Sequence, residues 1–420
     1  MSLATILLLV IFGVSIILWT CGKIEWGSIL CLCGLMLLPG VTPAAIFNAS
    51  FGNNTIMFLI FSMLLTYGLN QTGVLKRIAL LFINNPIAKK NSYSFIGFYF
   101  LSMLIIGSFI APTTLFILYF GIVTEIFNCM GWEKGDPMAR RMMVGTGFFA
   151  SISCAMTPIA HTFPIMALGF YENATGSFIS YGQYLRYSLP IGIILGVCAF
   201  AILCIKLPKL NNINYSYQSE KISTKEILSL IIFVLVILWW IIVGIWPTQF
   251  AKLNALGTAF PAMAGCVLMA ILNYLDIKQG MSKGVSWSSI LLCAATLALG
   301  TVLKMDDFGI LPLITSIVSD KVSIILIICF AVILTNIISN IVTTTLSFNI
   351  FVPILITTGL FDPAIATIAI GIGASLAYAL PSSIAHIALA GGSGWATSKD
   401  MLKYGSIMVL ISIIVMGIIL

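Results

Sequence analysis

Charge is what this sequence has least of. Asp, Glu, Lys and Arg make up 8% of its 420 residues, hydrophobic residues 60%, and the mean hydropathy is +1.12. Soluble domains carry about a quarter charged residues, so this composition excludes them and places the chain among polytopic membrane proteins. Histidine is scarcer still, with two in the whole chain. The ten cysteines show no zinc-site spacing; only Cys31 and Cys33 lie close together, and Cys198, Cys204, Cys293 and Cys329 sit inside apolar runs as buried thiols would. The net charge of +7 does not point to nucleic acid, because the basic residues lie in short connections between apolar runs. An intramembrane enzyme needs a nucleophile with a base, paired carboxylates or metal ligands at depth. The spans offer hydroxyls and two histidines without an acidic partner, so the chain does not read as an enzyme, and nothing in it calls for an organic cofactor. Met1 to Thr5 lack the positive region of a signal peptide, so residues 4–20 read as a retained first span.

What is there is a repeated order of apolar runs. Spans are expected at 4–20, 27–46 and 55–73, then an amphipathic piece at 74–86, an interrupted run at 94–127, a broken span at 141–171 and a span at 185–206. A polar cytoplasmic linker, 207–226, follows. The second half reads 227–247, 258–275 and 287–303, an amphipathic piece at 308–319, an interrupted run at 322–357, a broken span at 363–395 and a last span at 403–420. Gly73 precedes the first amphipathic piece as Gly309 begins the second. The fold expected is an all-α polytopic membrane protein of about ten spans plus two re-entrant helical hairpins, 94–127 and 322–357. Residues 4–206 form one repeat and 227–420 the other. Five crossings per half invert the second against the first, the signature of secondary transporters, and the broken spans favour a carrier over a channel.

Basic residues test that topology. If 74–93 is cytoplasmic, sixteen of the 20 Lys and Arg fall on that side, and only Arg186, Lys252, Lys304 and Lys321 on the other. This fits the positive-inside rule, puts both termini outside, and suits a multi-pass protein of the plasma (inner) membrane. Trp19, Trp26, Trp132, Trp246, Trp287 and Trp395 fall at span ends, as an aromatic belt against the lipid bilayer requires.

Candidate site residues gather at the breaks. Thr335 to Thr345 is a polar run flanked by apolar arms of about 15 residues, too short to cross a core of roughly 30 Å at about 1.5 Å per residue. Irregular backbone at that depth must be satisfied by protein or by a water-filled cavity. Thr335, Ser339, Asn340 and Thr343 offer neutral oxygens that suit Na+, and N–H groups at the start of the returning helix suit an anion. The first tip offers Ser108, Thr113 and Thr114, with Pro112 as a helix breaker. His161 and His386 occupy the same local string, Ile-Ala-His, in the two broken spans. An imidazolium there could bind a carboxylate or carry a coupling proton. Apart from Glu125 and Arg186 at span edges, no charged side chain lies mid-span. A bound dianion would therefore draw its neutralisation from co-transported cations.

Taken together, these runs resemble the divalent-anion:sodium symporter (DASS) family of dicarboxylate and citrate carriers in the wider ion-transporter superfamily. Ser339-Asn340 matches the family's Ser-Asn-Thr tip, with Ile341 departing, and Thr335 stands where the family has a sodium-liganding Thr. Thr157 to Pro164 is similar to its first break, Leu380 to Ile387 to its second, and Gly392 to Trp395 to the run that follows. The first Ser-Asn-Thr aligns with Ala111-Pro112-Thr113, and both break asparagines are replaced, by Pro164 and Ile387. The resemblance implies a homodimeric elevator-type carrier for small anions, di- or tricarboxylates. The substrate would meet Ser108, Thr113, Thr114, His161, Ser339, Asn340, Thr343, Ser383 and His386, with Na+ held near Thr335, Asn340 and Ser383. Proton coupling or anion exchange through His161 or His386, and transport of inorganic divalent anions, are the competing expectations.

Overall fold

Two features of the sequence recur at the starts of corresponding helices and explain where they begin. In a computed structural model that describes residues 3–205, 221–246, 248–303, 305 and 322–420, both broken spans open on Asp-Pro: Asp136-Pro137 and Asp362-Pro363. Proline at the first helical position has the φ a helix needs and no N–H to leave unsatisfied. The last span of each half opens on a capping box, Ser180 with Gln183 and Thr397 with Asp400.

The first half runs α1 (Leu3–Thr20), α2 (Ile24–Met36), α3 (Pro43–Ala49), α4 (Asn54–Gln71), α5 (Val74–Ile83), hairpin helices α6 (Ser92–Gly107) and α7 (Pro112–Cys129), the broken pair α8 (Pro137–Met156) and α9 (Thr162–Thr175), and α10 (Tyr181–Cys204). The second half runs α11 (Thr224–Ile245), α12 (Ala259–Ile271), α13 (Trp287–Leu303), hairpin helices α14 (Ile324–Thr335) and α15 (Asn340–Thr358), the broken pair α16 (Pro363–Gly373) and α17 (Ala385–Gly392), and α18 (Ser398–Ile419). No strand occurs among the described residues. The expected amphipathic piece at 308–319, Gly309, most of the linker 207–226, and Lys206, Lys209, Lys304 and Lys321 lie outside the described residues.

Most expected spans map onto helices within a few residues, and 287–303 matches α13 end to end. The expected span 27–46 is instead divided. Helix α2 stops at Met36, residues 37–42 turn through Pro39-Gly40 with Gly40 in the left-handed region, and α3 follows. In the second broken span the helix ends earlier than expected, at Gly373, leaving residues 374–384 non-helical. Among the described residues six helices are long and apolar enough to cross a membrane alone, or eight if two bent pairs each count once. Those pairs are α3 with α4, bent by 43°, and Ile277–Gly284 with α13, bent by 72°. The gap to about ten comes from apolar but short helices such as α2 and α12, 13 residues and about 20 Å each. The inner hairpin arms are short as well: 16 residues in α6 and 12 in α14 reach about 24 and 18 Å, less than a bilayer core.

Helices sort into two packed groups. α4 packs on α12 and α11, and α13 on α2, which also meets α1. The hairpins, broken spans, α10 and α18 pack together, those of the first half around α8, every residue of which from Met142 to Met156 is buried, and α9 also meets α13 and α4. The outside is apolar: Leu3, Ile6, Leu7, Val10, Val14 and Ile17 of α1 and Leu410, Ile414 and Ile418 of α18 are exposed. Such a continuous apolar exterior suits lipid, and the chain is a multi-pass membrane protein. The two halves of the chain are also tied to each other. Arg77 of α5 holds Glu226 at the start of α11 at 2.8 and 3.2 Å, and Ser229 donates to Thr72 at 3.2 Å.

Candidate functional site

The polar run at 335–345 divides between the end of α14, a four-residue tip and the start of α15. Its centre of order is Asn336, four positions before the Asn340 that the motif singled out. The Asn336 amide nitrogen donates to the carbonyls of Val332 (2.8 Å) and Leu376 (2.9 Å), and its oxygen accepts from the N–H groups of Tyr378 (2.7 Å) and Ala379 (2.9 Å). It therefore satisfies three backbone groups of the non-helical stretch 374–384, which no helix could satisfy. Thr335 adds a bond to the Ala374 carbonyl at 2.7 Å and Ser382 one to the Ile337 carbonyl at 3.0 Å. Thr335 is thus both fully buried and placed at the break. Its hydroxyl proton is used, so its oxygen lone pairs remain for a ligand.

Asn340 is the opposite case. It is 1% exposed, and among the described residues neither its amide oxygen nor its amide nitrogen has a hydrogen-bond partner. Leaving such a group unpaired in a dry site costs about 1–3 kcal/mol, so the amide calls for a ligand. Ser339 caps α15 without a side-chain bond to the backbone. Thr343 returns its hydroxyl to the Ser339 carbonyl at 3.2 Å, and Ser383 to that of Leu380 at 2.5 Å. Back-bonded hydroxyls present oxygen, not hydrogen, to a neighbour, which suits a cation better than an anion. Thr335, Asn340 and Ser383 fit that requirement chemically.

The first tip is more loosely tied. Pro112 takes the first position of α7, as a helix breaker would. Ser108 returns its hydroxyl to the Leu104 carbonyl at 2.7 Å, and its own carbonyl accepts from Thr157 at the first break. Thr113 is half-buried. Thr114 lines a cleft of about 120 Å³ between the first tip, the first break and α4, together with His161, Ser62, Thr66, Asn70 and Lys283. Ser339, Asn340, Thr343, Ser383 and His386 do not line it.

The two histidines reach across to opposite halves. His386 Nε2 lies 2.7 Å from Ser151 Oγ on α8, and His161 Nδ1 lies 3.2 Å from Ser375 Oγ in the second break. Both serine protons are already used, Ser151 on the Ala377 carbonyl (2.6 Å) and Ser375 on that of Gly371 (2.9 Å). Each serine oxygen must therefore accept from its histidine. On that network the neutral His386 carries its proton on Nε2 and the neutral His161 on Nδ1. The other nitrogen of His386, Nδ1, is buried with no partner among the described residues.

Asn336, Ser151, Ser375 and Lys283 were not among the expected site residues. A signal for the serines existed: each precedes the histidine of its own span by ten or eleven residues.

Comparison with known proteins agrees with this architecture. The YdaH transporter of Alcanivorax borkumensis, a solved structure described as having an unusual topology, superposes with a TM-score of 0.61 at 10% identity over 99% of this chain and 97% of that one. That likeness shows the fold. A transporter of Haemophilus influenzae with no assigned substrate is 25% identical over 350 residues, 79% of this chain and 73% of that protein. An inorganic phosphate transporter of Saccharomyces cerevisiae is 23% identical over 326 residues, 75% of this chain, which spans about a third (33%) of the yeast protein. The citrate transporter family profile CitMHS matches residues 7–373, all but the second break's far side and the last span. The expected membership of the wider ion-transporter superfamily holds, and the chain belongs to the CitMHS citrate transporter family.

Proposed function

We propose that this transporter is a secondary active carrier of small organic anions, di- or tricarboxylates, coupled to Na+. The observation that carries the reading is the buried, unpartnered amide of Asn340 at the second tip, with Thr335 at the end of the preceding hairpin arm and Ser383 in the break that the tip is bonded to. Neutral oxygens at a buried helix break suit a hard monovalent cation, and a cation held there offsets the charge of an anion that meets few fixed positive groups. The family's description as citrate transporters supports the substrate class. The short inner arms of both hairpins and the packing of hairpins, broken spans, α10 and α18 into one group support elevator-type movement against the other spans. A homodimer in the plasma membrane, with the α5 side cytoplasmic and both termini outside, completes the reading.

Purified protein in liposomes should accumulate labelled citrate or succinate when an inward Na+ gradient is imposed. Accumulation indifferent to Na+ but driven by a pH gradient would sink the sodium version. The bare Nδ1 of His386 favours that second reading, a proton-coupled carrier, because Nε2 is engaged with Ser151 and Nδ1 is the ring nitrogen left to accept a proton when the site opens to water.

A further inference from the structure

We infer that Lys283, on the connection into α13, is an anion-binding residue supplied to the cleft from the static group of helices. The inference rests on the anion-carrier reading above and adds a specificity determinant to it. The cleft runs from Lys283, which is exposed, to His161, which is 7% exposed. Its α4 wall is not a good anion surface. Ser62 and Thr66 return their hydroxyl protons to the carbonyls of Leu59 (3.1 Å) and Ser62 (2.8 Å), and so present oxygen to the cleft. Among the described residues no carboxylate lines it, and Lys283 is the one fixed positive charge that does. An ammonium with three donors, in a cleft with no acid among its described lining residues, is a counter-charge for a ligand carboxylate.

The position of Lys283 is built, not incidental. It sits in a single π-helical turn, Gly280–Gly284, closed by Val285 N–H on the Gly280 carbonyl at 3.1 Å. Such turns are rare and recur at functional sites. Both bounding glycines are needed for the turn to lie flush on α4. A Cβ at Gly280 would stand 2.3 Å from Leu64 Cδ1, and one at Gly284 2.6 Å from Tyr67 Cβ. The turn thereby brings a residue from a charged connection back onto the wall of the cleft. The cleft, about 120 Å³, has room for a carboxylate group. In this arrangement Lys283 engages one end of a substrate whose other end lies toward His161 and the tips.

The test is labelled citrate and succinate uptake by proteoliposomes as a function of substrate and salt concentration. Lys283→Gln is expected to raise KM about five- to tenfold with the saturating rate within about twofold, and to flatten the salt dependence of uptake. Lys283→Arg should retain most of the affinity, and Gly284→Ala, which displaces the turn, should shift KM in the same direction as Lys283→Gln. Lys278→Gln, on the same connection but outside the cleft lining, should change neither parameter. Unchanged KM and salt dependence in Lys283→Gln, with wild-type uptake intact, would overturn the inference and leave the carrier reading standing. Absence of wild-type uptake for every anion in a panel that also includes phosphate would overturn the carrier reading and this inference with it.

Discussion

His386 Nε2 and Ser151 Oγ are 2.7 Å apart, and because Ser151 gives its proton to the Ala377 carbonyl, the imidazole must donate. His161 and Ser375 make the matching contact at 3.2 Å with the halves exchanged. Each broken span is thus latched onto the other by a serine of one and a histidine of its counterpart. The latch also leaves a free lone pair on each ring.

His386 is the residue to test for proton coupling. A proton binds Nδ1 more readily as pH falls, so proton-driven uptake should grow as the loading side is acidified. His386→Gln should flatten that profile in a pH-jump uptake assay. Persistence of the wild-type profile would remove His386 from any coupling role.

The asparagines at the second tip should answer oppositely to the same substitution. Asn336→Ala strips partners from buried backbone groups of Leu376, Tyr378 and Ala379, each worth about 1–3 kcal/mol when left unsatisfied, so the thermal midpoint in detergent should fall sharply. Asn340→Ala removes an amide that has no partner, so ligand-free stability should hold or rise slightly. What Asn340→Ala should abolish is the stabilisation produced by adding Na+. A large loss of ligand-free stability in Asn340→Ala would show that its amide is structurally paired after all.

Arg77→Met leaves Glu226 with a buried, uncompensated charge, since the Glu226 side chain is 6% exposed. Removing one partner of a buried pair costs about 3 kcal/mol, measurable as a lowered chemical or thermal midpoint. The double variant Arg77→Met with Glu226→Gln should recover part of the loss. If the single variant unfolds like the wild type, the ion pair does not hold the halves together.

Gly107 lies where a Cβ would stand 2.1 Å from Ser153 Oγ and 2.4 Å from Leu115 Cδ2. Gly107→Ala therefore overpacks the first tip against α8, at about 1–3 kcal/mol, and should lower the uptake rate as well as stability. Wild-type transport by Gly107→Ala would mean that the first tip does not need its close seat on α8.

The sequence showed the architecture because apolar runs and their interruptions set where helices can lie. The run 287–303 became α13 unchanged, and the polar run at 335–345 became a tip. It did not show the local economy of the tip. Asn336 and Asn340 stand in the same polar run, and which one is spent on backbone depends on the helix ending at Thr335 and on the second broken span unwinding from Ala374. Both conditions are tertiary. Pro39-Gly40 did mark the break in the expected span 27–46, but a strong hydropathy average masked it. Lys283 was hidden for a geometric reason: a charged residue in a short connection reads as solvent-facing, and only the π-helical turn folds it back onto α4.

The two tips are unequally tethered. Five hydrogen bonds join the second tip to residues 374–382, while among the described residues the first tip has one bond to Thr157 and a long contact of Ser108 with the Met156 sulfur. The first tip also borders the open cleft. Amide hydrogens near Phe109 and Ile110 should exchange with solvent well before those of Tyr378 and Ala379. In mechanical terms the molecule has a rigid jaw and a compliant one, and the compliant jaw belongs to its first half.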